Sequence, residues 1–80
     1  MRPEGAPLLN IDLAALPPAQ RVSSLLAALD GLNPGEVFTF SASADPAPLY
    51  YRCDRDRPGQ ASWDYLRCGP DRWVVQVARR

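Results

Sequence analysis

The chain has 80 residues, and its nine arginines balance nine acidic residues, with no lysine and no histidine. These absences exclude Schiff-base chemistry, Ser-His and Cys-His nucleophile pairs, and the commonest metal ligand. Zero net charge provides no overall field toward nucleic acid or an anionic membrane. We therefore expect a non-enzymatic domain with no cofactor, no metal, no nucleic acid and no membrane among its partners.

The beginning of the chain differs in composition from the rest. Residues 1–7 contain two prolines, a glycine and two opposite charges, which predicts a flexible arm before one domain over residues 8–80. This beginning lacks the basic and apolar pattern of a signal peptide. No apolar run approaches the roughly 18 residues of a membrane span. We expect a cytoplasmic protein.

The first half of the chain predicts a strand, a helix and a second strand. Residues 8–13 alternate as a strand does, and residues 17–29 place apolar side chains at helical spacing. That apolar stripe consists of Val22, Leu25, Leu26 and Leu29. Gly31 stands where a left-handed helix cap is expected, and a turn at residues 33–36 leads into a strand at 36–42.

The second half predicts a helix and a β-hairpin. Asp45 is the expected N-cap, with Pro46 at the first position of a helix that runs to about residue 54 or 56. Residues 62–68 and 72–79 alternate as strands on either side of a Gly-Pro-Asp turn.

The resulting order, β-α-β-α-β-β, predicts an α+β fold. We expect a two-layer α/β sandwich in which a mixed four-stranded sheet carries both helices on one face. The other face would meet solvent or a partner. Four side chains are expected to point outward there and to form a mildly apolar patch suited to a protein partner: Val37, Thr39, Leu66 and Val74.

Several motifs in this order resemble known families. The segment NIDLAALPPAQRVSSLLAALDGLNPGEVFTF, residues 10–40, resembles the opening of the small sulfur-carrier proteins of the TusA/SirA type. The similarity is closer to an uncharacterised family of small domains, often fused to hemerythrin-like domains. Its motifs correspond to LPP at 16–18, DPAPLY at 45–50, WDYL at 63–66 and GPDRWVVQV at 69–77. The resemblance implies the two-layer sandwich.

The same resemblance implies that a chemical group is missing. In the sulfur carriers a Cys-Pro-x-Pro motif opens the first helix, and its thiol receives the sulfur. The carrier cysteine falls on Pro18 of this chain, so that thiol is absent. The closer family often has a histidine before its DPxPL motif, where this chain has Ala44. No role of that histidine is carried over.

Prolines mark both helix entrances. Pro17 and Pro18 lack the N–H groups through which a helix start would bind an anion, and the second helix has the same feature. We interpret both entrances as rigid helix starts. The candidate binding segment is the beginning of the second helix with the loop before it: Asp45, Pro46, Pro48 and Tyr50.

The two cysteines, Cys53 and Cys68, match no zinc spacing and are expected to be reduced. Cys53 shares a helix face with Leu49, which favours an inert core thiol. Cys68 ends a strand, on the face opposite Trp63 and Tyr65 by simple alternation, and is expected to be more accessible. The alternative function is therefore sulfur transfer or redox chemistry through Cys53 or Cys68.

The aromatic and acidic residues allow further alternatives. A base-stacking platform is disfavoured by the missing lysines, so we expect most of these aromatic residues in the core: Phe38, Phe40, Trp63, Tyr65 and Trp73. Asp12 is expected to cap the turn after the first strand. Asp54 and Asp56 are interpreted as solvated loop residues and not as metal ligands.

Overall fold

The computed structural model describes residues 9–80, and the predicted arm at residues 1–7 lies outside this range. The elements, in chain order, are β1 (Asn10–Asp12), a short 3₁₀ turn (Leu13–Ala15), α1 (Pro18–Asp30), β2 (Val37–Ala42), α2 (Ala47–Asp56), β3 (Ala61–Cys68) and β4 (Trp73–Arg79). The predicted order of helices and strands is confirmed.

The four strands form one mixed sheet in the order β1-β2-β4-β3. β1 is parallel to β2, whereas β4 is antiparallel to both of its neighbours. The last strand is thus inserted between β2 and β3. This confirms the predicted mixed sheet, with the longer β3 at one edge and the short β1 at the other.

Both helices pack on the same face of the sheet. Leu25 and Leu29 of α1 and Cys53 of α2 join one buried cluster with alternate residues of the central strands. The strand members of that cluster are Phe38, Phe40, Val75 and Val77. Burial of this apolar surface is the main favourable contribution to stability in such a small domain.

The first strand is shorter than predicted because the chain turns at Asp12. The Asp12 carboxylate accepts a hydrogen bond from the N–H of Ala14 at 3.1 Å, and Leu13 is buried as the 3₁₀ turn begins. This confirms the predicted capping role of Asp12. A side chain bonded to its local backbone competes with continuation of a strand.

Two predicted helix ends differ in detail from the structure. α2 begins at Ala47, with Pro46 as its N-cap residue, although the Asp45 carboxylate still accepts the Ala47 N–H at 3.0 Å. Gly31 has φ −81° and is right-handed, because the chain tightens through a hydrogen bond from Leu32 N to Leu29 O at 3.1 Å. The left-handed glycine is Gly35, with φ +87°, inside the predicted turn.

A β-bulge interrupts β3. Tyr65 pairs with Val75, but Arg67 pairs with Val74, so Leu66 is an extra residue. Every later residue of the strand therefore changes face relative to simple alternation. Cys68 pairs with Trp73, which places it on the helix-covered face with Trp63 and Tyr65. The prediction that Cys68 lies on the opposite face is wrong.

The predicted outward patch on the other face is also not present as expected. Val37 and Thr39 are buried, and Val74 is half-buried. Leu66 is exposed, but the bulge removes it from the regular alternation that placed it with the others.

Neither helix in the described part of the chain has the length and apolar character that a membrane span requires.

Candidate binding site

The carboxyl ends of β1 and β2 meet the start of α1, as in many α/β folds where ligands bind. Two neighbouring cavities of about 280 and 250 Å³ lie there. Their polar lining residues are Asp12, Arg21, Ser41, Ser43, Asp45, Asp71 and Arg72.

Several polar groups at this end are already bonded to the protein itself. Besides the Ala14 N–H, Asp12 Oδ1 accepts a bond from Ser41 Oγ at 3.4 Å. Arg21 Nε donates to the carbonyl oxygen of Leu16 at 3.1 Å, which fastens the chain just before α1. Pro17 and Pro18 contribute no N–H. This arrangement stabilises the entry into α1, as the interpretation of a rigid helix start predicted.

A different surface combines depth with exposed apolar groups. A groove of about 350 Å³ lies between α2 and the edge strand β3. We call it the aromatic groove, and its lining residues are Ala47, Tyr50, Tyr51, Ser62, Trp63, Tyr65 and Arg80. Four of these seven side chains are aromatic, so the groove offers aromatic surface together with polar atoms and one guanidinium group.

The rings of the groove are held in place by contact with the core. Trp63 packs edge-on against Phe40, with ring centroids 5.1 Å apart, and against Tyr50 at 5.2 Å. Tyr50 in turn packs edge-on against Tyr51 at 5.6 Å. These edge-to-face arrangements are the favourable geometry for aromatic pairs. A continuous series of rings therefore runs from the buried core to the surface.

The outer members of the groove are exposed. Tyr51 is 70% exposed and Tyr65 is 40% exposed. Partial burial raises the pKa of the Tyr65 hydroxyl, and the negative charge of Asp45 contributes to the same increase. Tyr65 is therefore a neutral hydrogen-bond donor near neutral pH, and the Asp45 carboxylate acts on it from the start of α2.

The structure separates the four residues of the predicted binding segment. Asp45 caps the backbone, Pro46 is buried, and Pro48 is exposed on α2. Only Tyr50, of these four, lines the aromatic groove. Sequence reasoning missed Tyr51 as a site residue and assigned Tyr65 to the core. The adjacent Tyr-Tyr pair and the Trp-x-Tyr alternation were the available signals.

The two cysteines are both free thiols with different surroundings. Cys53 is 6% exposed within the core cluster, which confirms the predicted core thiol. Burial raises the pKa of Cys53 to about 11, and the charge of Asp56 adds to this effect. Its thiol is therefore protonated at neutral pH and is a poor nucleophile. Cys68 is exposed at the end of β3, as expected.

The remaining aromatic predictions are partly confirmed. Phe38 and Phe40 are buried, and Trp63 packs partly buried against the core. Trp73 is half-buried and covers the hairpin turn, where a Cβ on Gly69 would lie 2.8 Å from the indole ring. Glycine is therefore required at this left-handed position, whose φ is +64°.

The acidic residues form no cation site in the described range. Asp54 and Asp56 are exposed in the last turn of α2, and Asp54 accepts a bond from the Gly59 N–H at 3.3 Å. Residues 9–80 contain no group of three or more Cys, Asp, Glu or His side chains able to hold a metal ion.

Comparison with known proteins identifies the family. No curated protein matches the chain, and no solved structure matches it. A family model described as "Uncharacterized conserved protein (DUF2249)" does match, over residues 10–79. Because this match includes every helix and strand of the sheet, the chain belongs to the DUF2249 family.

Proposed function

We propose that this chain is a non-enzymatic domain that binds a protein partner in the aromatic groove. The supporting observation is that Tyr51 and Tyr65, both large and exposed, line the same concave surface. Tyrosine and tryptophan side chains dominate the energetic centres of protein interfaces, where they fill pockets and lose little conformational entropy. Trp63 and Tyr50 form a rigid floor beneath them.

The chemistry around the groove supports binding without catalysis. The sequence provides neither histidine nor lysine. The thiol on the inner side of α2, Cys53, is buried with a raised pKa. The groove has one guanidinium group, from Arg80, and the Asp45 carboxylate acts on its other end. A protein surface of mixed charge fits these features better than a polyphosphate backbone does.

Capture of a partner from the native cell extract tests this proposal when it is combined with matched variants. Tyr51→Ala removes an exposed ring and should change stability by less than about 0.5 kcal/mol, yet weaken partner binding about tenfold or more. Leu9→Ala, just before the opposite edge strand β1, is the control because Leu9 is also exposed. Equal capture by wild type, Leu9→Ala and Tyr51→Ala would refute the assignment to the groove.

A fluorescence titration can then place the partner directly. The chain has two tryptophans, so Trp73→Phe leaves Trp63 as the reporter in the floor of the groove. Addition of the purified partner should shift the emission of Trp63 in this variant. An unchanged spectrum at saturating partner would contradict binding in the groove.

The second candidate function is sulfur transfer, together with a relationship to the TusA/SirA carriers. The observation in its favour is the exposed thiol of Cys68, since Pro18 occupies the carrier position and Cys53 is buried. Incubation with a persulfide donor and mass spectrometry test it. A gain of one sulfur atom that Cys68→Ser abolishes would favour sulfur transfer over pure binding.

A further inference from the structure

The outer edge of β3 is a long strand edge without a partner in residues 9–80. β3 contains eight residues, whereas the other edge strand, β1, contains three. Its middle carries two exposed apolar side chains, Tyr65 and the bulge residue Leu66, which is 59% exposed. An edge of this length and composition can pair with another strand unless charge or shape prevents it.

Two opposite charges on this edge are arranged symmetrically about the junction between Tyr65 and Leu66. Asp64 pairs with Gln76 and Arg67 pairs with Val74 on the neighbouring strand β4. Gln76 and Val74 alternate with the core residues of β4, so Asp64 and Arg67 both face away from the helices. Three residues apart on a regular strand, they would lie on opposite faces. The bulge at Leu66 brings an acidic and a basic side chain to the same face.

This pattern is complementary to itself when two copies of β3 run antiparallel. With the twofold axis between Tyr65 and Leu66, Asp64 lies opposite Arg67 of the second copy. In the same register Tyr65 lies opposite Leu66 of the second copy. Residues that lie opposite each other in an antiparallel pair share a face. The bulge satisfies this requirement for the ion pairs, because Asp64 and Arg67 share a face in each copy.

We propose that a second copy of this chain pairs with the outer edge of β3 and forms a symmetric dimer with one continuous eight-stranded sheet. Two equivalent ion pairs, Asp64 with Arg67 of the second copy and the reverse, fix the register. Among residues 9–80 of the same chain, the one ion pair of Arg67 is a long contact of 3.8 Å to the well-exposed Asp71, which leaves its guanidinium available to a second copy. The chain has zero net charge, so two copies do not repel each other overall.

An edge with charges of one sign would prevent such pairing through like-charge repulsion. The edge of β3 carries one charge of each sign in a twofold arrangement. In an antiparallel pair of edges, each charge therefore lies opposite a charge of the other sign. Parallel pairing in register would place Asp64 beside Asp64 and Arg67 beside Arg67. The charges therefore favour antiparallel pairing of the two β3 edges over parallel pairing.

Charge exchange tests the proposal with the purified chain alone. The mass of the wild type in sedimentation equilibrium should rise with concentration from 8.8 kDa toward twice that value. Asp64→Arg and Arg67→Asp should each weaken dimerisation about tenfold or more, because each creates two like-charge pairs. The two single variants change net charge in opposite directions, so each is the control for the other.

The double variant Asp64→Arg/Arg67→Asp exchanges the charges and should restore dimerisation to within about threefold of the wild type. Far-UV circular dichroism verifies folding, and Asp64→Asn replaces any single variant that unfolds. The proposal is overturned if the wild type stays at 8.8 kDa at every concentration, if it assembles beyond a dimer, or if the double variant stays monomeric. It goes beyond the proposed function, since Tyr51→Ala should dimerise normally whether or not the groove binds a partner.

Discussion

The two helices have similar N-terminal ends, but the side chains near those ends make different contacts. α1 and α2 each come after a strand in the chain, and each has a proline as its N-cap residue. At α1, the nearby polar side chains bond to the protein's own backbone, as Asp12 and Arg21 show. At α2, the first turns present Tyr50 and Tyr51 to an open groove beside β3. In the function that we propose, α1 serves mainly as support, whereas α2 carries the recognition surface.

The largest loss of stability is expected at a core residue that supports both the α1 side and the α2 side. Phe40 is fully buried between the helices and the sheet and supports Trp63 from below. Phe40→Ala should destabilise the fold by about 3–5 kcal/mol, as measured by urea denaturation. Both sides should unfold together, with coincident transitions in far-UV circular dichroism and in tryptophan fluorescence.

The control for this prediction is Phe40→Leu, which keeps most of the volume and should lose only about 1–2 kcal/mol. Two separate transitions in the Phe40→Ala variant would mean that the α1 and α2 sides are independent units. In that case the α1 side and the α2 side could not be compared as two parts of one cooperatively folded domain.

The second prediction uses the cysteines as probes of the α2 side. In the native protein at neutral pH, iodoacetamide should label the exposed thiol of Cys68. Cys53 should react on the order of a hundredfold more slowly, since burial raises its pKa to about 11. Mass spectrometry of Cys68→Ser and Cys53→Ala gives the two rates separately. Equal rates would show that the inner face of α2 opens readily.

The third prediction concerns high pH. The pKa of Cys53 is about 11 in the folded protein, above the value of roughly 8.5 in an unfolded chain. As the pH rises, the unfolded state therefore releases this proton first. The contribution of the protonated thiol to the free energy of unfolding is fully present below the unfolded-state pKa of roughly 8.5 and is lost as the pH rises toward about 11. The loss between pH 8 and 10 should be on the order of 1–2 kcal/mol.

Tyr65 also has a raised pKa and acts in the same direction, so Cys53→Ala is the reference for this experiment. The difference between wild type and Cys53→Ala, in urea denaturation at each pH, isolates the thiol. If both proteins lose stability in parallel, the buried thiol makes no contribution.

The smallest effect should come from the ion pair that joins the ends of the two helices. Arg57 donates to Asp30 through Nε at 2.9 Å and through Nη2 at 2.8 Å, and this bond holds the pKa of Asp30 below its ordinary value. The contribution of this ion pair to the free energy of unfolding is fully present above the ordinary pKa of aspartate. It is lost as the pH falls through the lowered pKa of Asp30 in the folded protein. The pair is exposed, so the loss is small.

Asp30→Asn should therefore lower the urea midpoint slightly at pH 7, and its difference from the wild type should shrink as the pH falls through the lowered pKa of Asp30. Arg57→Gln should reproduce the loss at pH 7. A loss that persists unchanged at low pH would assign the effect to packing and not to charge.

Most of the fold could be predicted from local patterns. Helical spacing from Val22 to Leu29, the Pro-Gly turn before Val37 and the alternation around Val75 each depend on nearby residues. The bulge at Leu66 could not be predicted in this way, because it leaves no signal in the apolar alternation of β3. The error in the face of Cys68 followed from that one residue.

The site was predicted less well than the fold. Tyr50 was identified, but the groove also needs Tyr65, which reaches it only because β3 lies at the edge of the sheet. The sequence order suggests that β3 follows β2, whereas β4 lies between them. Strand order is decided by long-range packing, and it determines which aromatic residues become core and which remain exposed.

The bulge also affects how other members of the family should be aligned. A relative with one residue fewer between its Trp63 and Gly69 equivalents would keep the hairpin but present the end of its third strand to the opposite side. Such a protein would align well by similarity, yet its residue at the Cys68 position would occupy a different environment. Family members are therefore best grouped first by the length of this segment, before any residue within it is compared.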